Sequence, residues 1–221
     1  MPETSPTARS AFLGVASLTR VVEGWEVPTG EVSGDVTLAD LSGLAKVLVK
    51  GPAAGPADIE MVTAMGTRFG RALWDGEWLV TAAAPGEWLV LGPRGTAAGT
   101  VDHYRRAVAG VNGELVTIMD LTHGRALLRV HGPATLSLLQ RLTALDLDDR
   151  FVPDGSALRT SVAAVVTEVV RDDVDGSPSY LLHCERSSGR YLLDTLLAAG
   201  EDLGAQFQDG HPAWGETRPS R

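Results

Sequence analysis

Cysteine is almost missing from this chain of 221 residues, because Cys184 is its single cysteine. One cysteine excludes an internal disulfide and any metal cage built from several thiolates, and it fits a reducing compartment. Basic residues are also in the minority, with 19 Lys and Arg against 28 Asp and Glu and a formal net charge of -9. This excess of negative charge opposes binding to nucleic acid.

Long apolar runs are missing as well. No run reaches the roughly 20 residues needed to cross a bilayer. The first ten residues, MPETSPTARS, lack the basic start and apolar core of a secretory signal. We therefore predict a protein of the cytoplasm, with neither a membrane nor nucleic acid among its partners. Its hydrophobic content of 44% is ordinary for a chain with a packed core.

The two ends of the chain lack apolar periodicity. Residues 1–35 contain scattered apolar side chains among turn-forming residues, and we interpret them as an extended N-terminal arm that can lie across another surface. Residues 210–221, with the sequence GHPAWGETRPSR, are interpreted as a flexible tail. The folded part is therefore expected between residues 36 and 209.

Between these ends, one order of elements occurs twice. The first half predicts a strand at 44–50, a helix at 57–66, a hairpin at 77–92, a helix at 97–109 and a strand at 114–121. The second half predicts a strand at 126–131, a helix beginning at Pro133, one strand at 161–170, a strand at 179–185, a helix at 187–199 and a final strand near 204–208.

The matching segments KVLVKGPA and LLRVHGPA support this internal repeat. Two copies of the same order predict an α+β fold made of tandem ferredoxin-like βαββαβ units. We place the first unit at residues 36–122 and the second at 123–209. In each unit, the helices are expected to cover one face of an antiparallel sheet.

Chemistry would be sought first at the turn that carries Asp120 and His123. A carboxylate and an imidazole that face one pocket can pass a proton. The structural alternative is that Asp120 accepts backbone hydrogen bonds within the turn, while His123 is a half-exposed polar residue. The spacing alone favours the structural alternative, so no catalytic residue is assigned beyond these two candidates.

Other patterns exclude common kinds of site. The histidines show no His-x-x-x-His spacing that would indicate a metal. The glycines near residue 95 lack both a Walker lysine and the dinucleotide-binding spacing. Strand alternation places Leu182 and Cys184 on one face and His183 and Glu185 on the other, which predicts a buried, inert thiol.

Several segments resemble the glycine-cleavage T-protein (aminomethyltransferase) superfamily. The segment DLTHGRALLRVHGPATLSLLQRLTALDL is similar to that family's Asp-x-Ser-His turn, strand and Gly-Pro helix. Within the superfamily, the segments resemble those of the gamma subunits of heterotetrameric sarcosine oxidases. The segments that carry this second likeness are VTLADL, LAKVLVKGP, DGEWLV, GEWLVLGP, VPDGSALRTSVAAVV and ERSSGRYLLDTL.

The resemblance implies an accessory gamma subunit of a complex that oxidatively demethylates sarcosine or a related N-methyl amine and passes the one-carbon unit to tetrahydrofolate. Larger alpha and beta subunits and a small delta subunit would be its partners, and the complex would hold FAD, FMN, NAD and tetrahydrofolate. This chain would bind none of these cofactors by itself. The surface expected to meet the partners comprises Trp25, Trp78, Arg125, Arg186 and Tyr191.

Two departures from the family support a structural role. The family's Gly-Gly-x-x-Asp-Asp segment, which carries its catalytic aspartate, has no glycine pair in RTSVAAVVTEVVRDD, and we expect the family's C-terminal barrel to be absent. Two alternatives stay open at this point. One is a small folate-dependent methyl or aminomethyl transferase that uses Asp120 and His123, and the other is a stand-alone ligand-binding regulatory module.

Overall fold

The computed structural model describes residues 7–12, 19–22, 24–28, 34–111, 115–208 and 214. These residues form four helices and three sheets, and a short 3₁₀ helix spans Glu201–Leu203. The helices are α1 (Gly55–Met65), α2 (Ala97–Ala107), α3 (Thr135–Gln140) and α4 (Arg186–Ala199). The strands are β1 (Ala8–Arg9), β2 (Thr19–Val22), β3 (Trp25–Pro28), β4 (Val36–Asp40), β5 (Ala45–Lys50), β6 (Ala72–Asp75), β7 (Trp78–Ala84), β8 (Glu87–Gly92), β9 (Thr117–Asp120), β10 (Arg125–His131), β11 (Ala157–Val162), β12 (Val165–Arg171), β13 (Ser179–Glu185) and β14 (Ala205–Gln208).

The first sheet has the strand order β6-β7-β8-β5-β9, and all its neighbours are antiparallel. The chain runs β5, α1, the β7-β8 hairpin, α2 and β9, with β6 added at the edge, so the sequence order expected for a βαββαβ unit is present here. Helix α1 ends at Gly66, whose φ of 72° is the left-handed conformation that favours glycine. The predicted α+β fold is confirmed.

The second sheet has the order β11-β12-β13-β10-β4-β14. Strand β4 pairs antiparallel with β10, and β14 pairs parallel with β4 on the outside. The sequence division places residues 36–40 at the start of the first unit, whereas they pair in the sheet of the second half. Strand pairing thus joins residues that are distant in sequence. The division into units at residues 36–122 and 123–209 stays a prediction.

One predicted element was wrong. Residues 161–170 were expected to form a single strand, but β11 and β12 are two strands joined by a tight turn at Ala163 and Ala164. These alanines have φ values of 50° and 63°. Two left-handed residues in succession are what a two-residue hairpin turn requires, although glycine or asparagine usually fills these positions.

The two sheets face each other, and the helices cover their outer faces. A core of buried apolar residues between the sheets includes Leu41, Leu44, Leu79, Leu91 and Leu181. A second core lies between the first sheet and helices α1 and α2, and a third lies between the second sheet and helices α3 and α4. The molecule is therefore a stack of helices, sheet, sheet and helices.

The N-terminal arm packs on the second half of the chain. Strands β1, β3 and β2 form a small sheet of their own. Phe12 is fully buried in the third core, and Arg186 donates a hydrogen bond to the carbonyl oxygen of Ser10 (3.3 Å). The arm therefore lies on the chain itself over these described residues.

The expectation of a flexible tail falls largely outside the described residues. Only Trp214 is described there, and its ring packs on Trp74 with centroids 4.9 Å apart while its Nε1 donates to the carbonyl oxygen of Glu77 (3.0 Å). Within the described ranges, no helix is both long and apolar enough to cross a membrane.

Candidate functional site

The turn that carries Asp120 and His123 connects β9 to β10. Asp120 Oδ1 accepts a hydrogen bond from the backbone N–H of Thr122 (2.8 Å), as the structural alternative predicts. The ring of His123 stacks on Trp25, with centroids 4.9 Å apart and planes 7° from parallel. Asp120 thus stabilises the backbone of the turn, whereas His123 contacts Trp25 of the N-terminal arm.

Lys46 is fully buried and also stabilises this turn. Its Nζ donates to the carbonyl oxygens of Ser42 (2.7 Å), Leu44 (2.9 Å) and Thr122 (3.2 Å). Burial lowers the pKa of Lys46 to about 7, although the negative charges of Asp40 and Asp120 oppose this shift. The ammonium group therefore joins the loop after β4 to the turn after β9.

Asp40 lies beside this lysine and is also buried. Its carboxylate accepts hydrogen bonds from the Ser10 hydroxyl and from the backbone N–H of Ser42, the latter at 2.8 Å. Burial raises the pKa of this carboxyl group, and the hydrogen bonds from Ser10 and Ser42 oppose the shift. Through Ser10, Asp40 fastens the N-terminal arm to the second sheet.

A second polar cluster lies in a pocket between the two sheets. Strand register places Arg159 of β11 opposite Glu168 of β12, and Glu168 opposite His183 of β13. Arg159 donates to Glu168 (2.6 Å) and also to Glu87 of the first sheet (2.5 Å), so it links the two sheets. The pocket has a volume of about 240 Å³. Its lining residues are Leu48, Lys50, Glu87, Leu89, Leu121, Arg125, Arg159, Val166, Glu168, His183 and Glu185.

The pocket holds its charged groups in defined protonation states. Burial acts to raise the pKa of Glu168, but contacts with His183 and Arg159 outweigh it and lower this pKa to about 2. Burial lowers the pKa of His183, and Glu168 opposes this shift. Partial burial acts to raise the pKa of Glu87, but the contacts with Lys50 and Arg159 hold this pKa below its ordinary value. At neutral pH, both carboxylates are ionised and His183 is neutral.

Comparison with known protein families identifies the family of this chain. The family model described as the GCVT N-terminal domain matches residues 19–214. The chain belongs to this family. Membership of the GCVT N-terminal domain family confirms the predicted T-protein superfamily and accounts for the paired sheets.

Two larger proteins contain a region that is similar to this chain. The chain is 28% identical to 4-methylaminobutanoate oxidase (formaldehyde-forming) of Paenarthrobacter nicotinovorans, over 95% of this chain and 26% of the relative. It is 26% identical to mitochondrial dimethylglycine dehydrogenase of Homo sapiens, over 81% of this chain and 22% of the relative. The chain thus spans about a quarter of the length of the curated relatives that it matches.

Two solved structures share the fold of this chain. A chain of the heterotetrameric sarcosine oxidase from Corynebacterium sp. U-96 superposes with a TM-score of 0.65 at 21% identity, covering 80% of this chain and 90% of that chain. The glycine cleavage system aminomethyltransferase T from Bartonella henselae gives a TM-score of 0.64 at 16% identity, covering 86% of this chain and 55% of that chain. These likenesses establish the fold.

In this GCVT N-terminal domain, the five residues expected to meet a partner lie in different settings. Trp25 is 6% exposed, and its ring stacks on His123. Trp78 is half-buried and donates through Nε1 to Thr100 Oγ1 (3.2 Å). Arg125 pairs with Glu185 at 2.6 Å on the pocket rim, and Arg186 holds the arm through the carbonyl oxygen of Ser10. Tyr191 on α4 is 55% exposed, and all five residues stay predicted contacts.

The row of Arg159, Glu168 and His183 was missed from the sequence. A single strand at 161–170 leaves no partner strand for Arg159, and the turn that creates one lacks the usual glycine or asparagine. The signal that was available is the alternation on β13, which correctly placed His183 and Glu185 on the face away from Cys184. That face is the one toward the other sheet, while Cys184 is buried in the third core.

In the described residues, the donor sets and the size of the polar clusters differ from what a metal or a folate requires. Across the described part of the chain, no group of three or more His, Cys, Asp or Glu side chains is arranged to hold a metal ion. The inter-sheet pocket, at about 240 Å³, is below the range of roughly 300–1,000 Å³ typical of pockets for drug-sized ligands. Its described lining contains no Phe, Tyr or Trp, so a pteridine ring would find no aromatic face there.

Proposed function

We propose that this chain is an accessory (gamma) subunit of a complex that oxidatively demethylates sarcosine or a related N-methyl amine. One observation carries the proposal. The fold matches a chain of similar size in a heterotetrameric sarcosine oxidase, since the aligned part is 80% of this chain and 90% of that chain. The relatives named for 4-methylaminobutanoate and dimethylglycine also act, by name, on N-methyl amines.

In this proposal, alpha and beta subunits hold FAD, FMN, NAD and tetrahydrofolate, and a small delta subunit completes the complex in the cytoplasm. The present chain contributes surface and stability. The one-carbon unit passes to tetrahydrofolate on another subunit. This assignment is supported by the misfit between folate and the inter-sheet pocket.

The chain is proposed to supply no catalytic group. Asp120 is engaged by a backbone N–H, and His123 is engaged by Trp25. A proton-transfer pair needs its two groups within hydrogen-bond reach of one substrate. The contacts that hold these side chains instead explain why an Asp and a His occur in a turn that joins two halves of a fold.

Assembly is tested by affinity purification of the tagged chain from its native cell. Flavin-containing subunits should co-purify with the tagged chain, and the visible absorption spectrum of the eluate should show bound flavin. Sarcosine should then reduce the flavin. A chain that elutes alone, without flavin, contradicts the assignment.

Catalysis is tested with Asp120→Asn and His123→Phe in the purified complex. Asparagine keeps a carbonyl oxygen for the Thr122 N–H, and phenylalanine keeps a ring for Trp25, so both variants preserve the structural contacts and remove the acid-base groups. Turnover of sarcosine should stay within about twofold of the unaltered complex. A loss of about a hundredfold with assembly intact would show general acid-base catalysis at this turn.

A further inference from the structure

The inter-sheet pocket has the size and polarity of a site for a very small ligand. Its volume of about 240 Å³ corresponds to roughly eight waters at about 30 Å³ each. Seven of its lining residues are ionisable, while Leu48, Leu89 and Leu121 supply apolar wall. A ligand of this volume must carry polar groups to replace the hydration of the charged lining.

The base of the pocket is suited to an ammonium group. The side chains of Glu168 and His183 are 13% and 4% exposed, which makes them the deepest ionisable groups of the lining. His183 Nδ1 faces Glu168 Oε2 at 3.3 Å, and within the described residues neither ring nitrogen makes a well-aligned hydrogen bond. A neutral imidazole whose Nδ1 carries the proton presents an unshared lone pair at Nε2. The base thus holds the Glu168 carboxylate, which Arg159 shares, and a buried imidazole without a well-aligned hydrogen-bond partner.

The rim is suited to a carboxylate. Lys50 is 45% exposed and pairs with Glu87, and Arg125 is 26% exposed and pairs with Glu185, which is itself 62% exposed. Exposed ion pairs of this kind contribute little to stability, so a ligand anion can share or replace their partners at little cost. The mouth therefore carries two cations with replaceable partners, and the base carries the Glu168 carboxylate, which Arg159 also contacts.

The balance of charge selects among small ligands. Glu87, Glu168 and Glu185 are matched by Lys50, Arg125 and Arg159, with His183 neutral. A ligand with net charge would leave an uncompensated charge in a partly buried site, which is costly. A ligand without net charge keeps the balance, and one that carries both charges can also pair with the cations of the rim and the carboxylate of the base.

We propose that this pocket binds a small zwitterionic amino-carboxylate, with its ammonium group at Glu168 and His183 and its carboxylate at Lys50 and Arg125. The apolar wall contacts the carbon skeleton between the two charges. Arg159 keeps the base carboxylate in place and holds the two sheets at the pocket's width, since it bonds to Glu168 and Glu87 together. The site adjoins the Asp120 turn through Leu121 but uses neither Asp120 nor His123, and it does not depend on the subunit assignment above.

The test uses the full chain with three probes of one skeleton. These are 4-aminobutyrate, butyrate and butylamine, titrated to about 50 mM while protein NMR shifts are followed; β-alanine and 6-aminohexanoate then vary the distance between the charges. The zwitterion of matching length should bind at least tenfold more tightly than either singly charged analogue, a difference of about 1.4 kcal/mol. Equal binding of butyrate would show an anion patch, and shifts from none of the zwitterions would show that the pocket holds only water. Either result overturns the proposal.

Substitutions in the pocket lining test whether the ligand binds there. Glu168→Gln and Lys50→Met should each weaken binding of the zwitterion at least tenfold, while Asp102→Asn, which removes an exposed charge paired with Arg105 on α2, should leave it unchanged. Because Lys50 is half exposed, its variant tests the rim even where replacement of the buried Glu168 harms folding. Binding that survives the Lys50 and Glu168 variants, or that is lost equally in Asp102→Asn, contradicts the assignment.

Discussion

The buried ammonium group of Lys46 predicts an unusual dependence of stability on pH. Its pKa is about 7 in the folded chain against an ordinary value of 10.5. Between these values, the unfolded chain binds a proton at this lysine and the folded chain does not. The free energy of unfolding must therefore rise with pH from 7 to 10.5 and lose this contribution as pH falls to 7, below which both states are protonated.

The magnitude follows from the shift. One pKa unit corresponds to about 1.36 kcal/mol, so the full difference is about 5 kcal/mol and the part gained between pH 7 and pH 9 is about 2 kcal/mol. Lys46→Met removes the titrating group while keeping an unbranched side chain of similar length. It also leaves three carbonyl oxygens without their donor, which shifts the whole stability curve but not its slope.

The assay is equilibrium urea unfolding at pH 7, 8 and 9 for the unaltered chain, Lys46→Met and the control Lys50→Met, in which a half-exposed lysine is lost. Between pH 7 and pH 9, the free energy of unfolding of the unaltered chain and of the control should each rise by about 2 kcal/mol more than that of Lys46→Met. Parallel curves for all three proteins would refute the reasoning, because they would mean that Lys46 titrates alike in the folded and unfolded states.

Three further predictions concern stability. Asp172→Ala should lower the free energy of unfolding by about 3–5 kcal/mol in urea, because it leaves Arg129 buried without the carboxylate that lies 2.6 Å from its Nη2; a loss below about 1 kcal/mol would contradict this. Ala163→Gly should raise stability by about 1 kcal/mol, since it relieves a left-handed residue of its Cβ, whereas the same change at Ala126 in β10 should be destabilising. Glu168→Gln should be less stable than the unaltered chain by about 3 kcal/mol above pH 4.5, and this gap should close as pH falls toward 2, because the folded-state pKa of Glu168 is lowered to about 2; a gap that does not change with pH would be evidence against the ion pairs.

Local patterns predicted most elements, because helix and strand periods are written in neighbouring residues. The alternation around Cys184 assigned both faces of β13, and the two Gly-Pro segments located the ends of β5 and β10. The hairpin at Ala163 was missed because nothing in a run of small and β-branched residues marks a turn. In that case, pairing across the sheet holds two alanines in a conformation that they disfavour.

The candidate site was harder to predict than the fold. Asp120 and His123 attracted attention because they are close in sequence, yet each is bound to a different neighbour. Arg159, Glu168 and His183 come together only through the register of three strands. Register depends on which face each sheet buries, and that is a property of the whole molecule.

Strand β4 has a consequence for how this chain is made and divided. Val36–Asp40 lies far upstream of its partner β10, so the second sheet closes a long loop, which carries an entropic cost and slows folding. A cut in the gene at residue 122 would leave one fragment with an orphan strand and the other with a gap beside β10. Such fragments would be expected to recover their structure only when mixed, which makes the chain a natural candidate for fragment complementation.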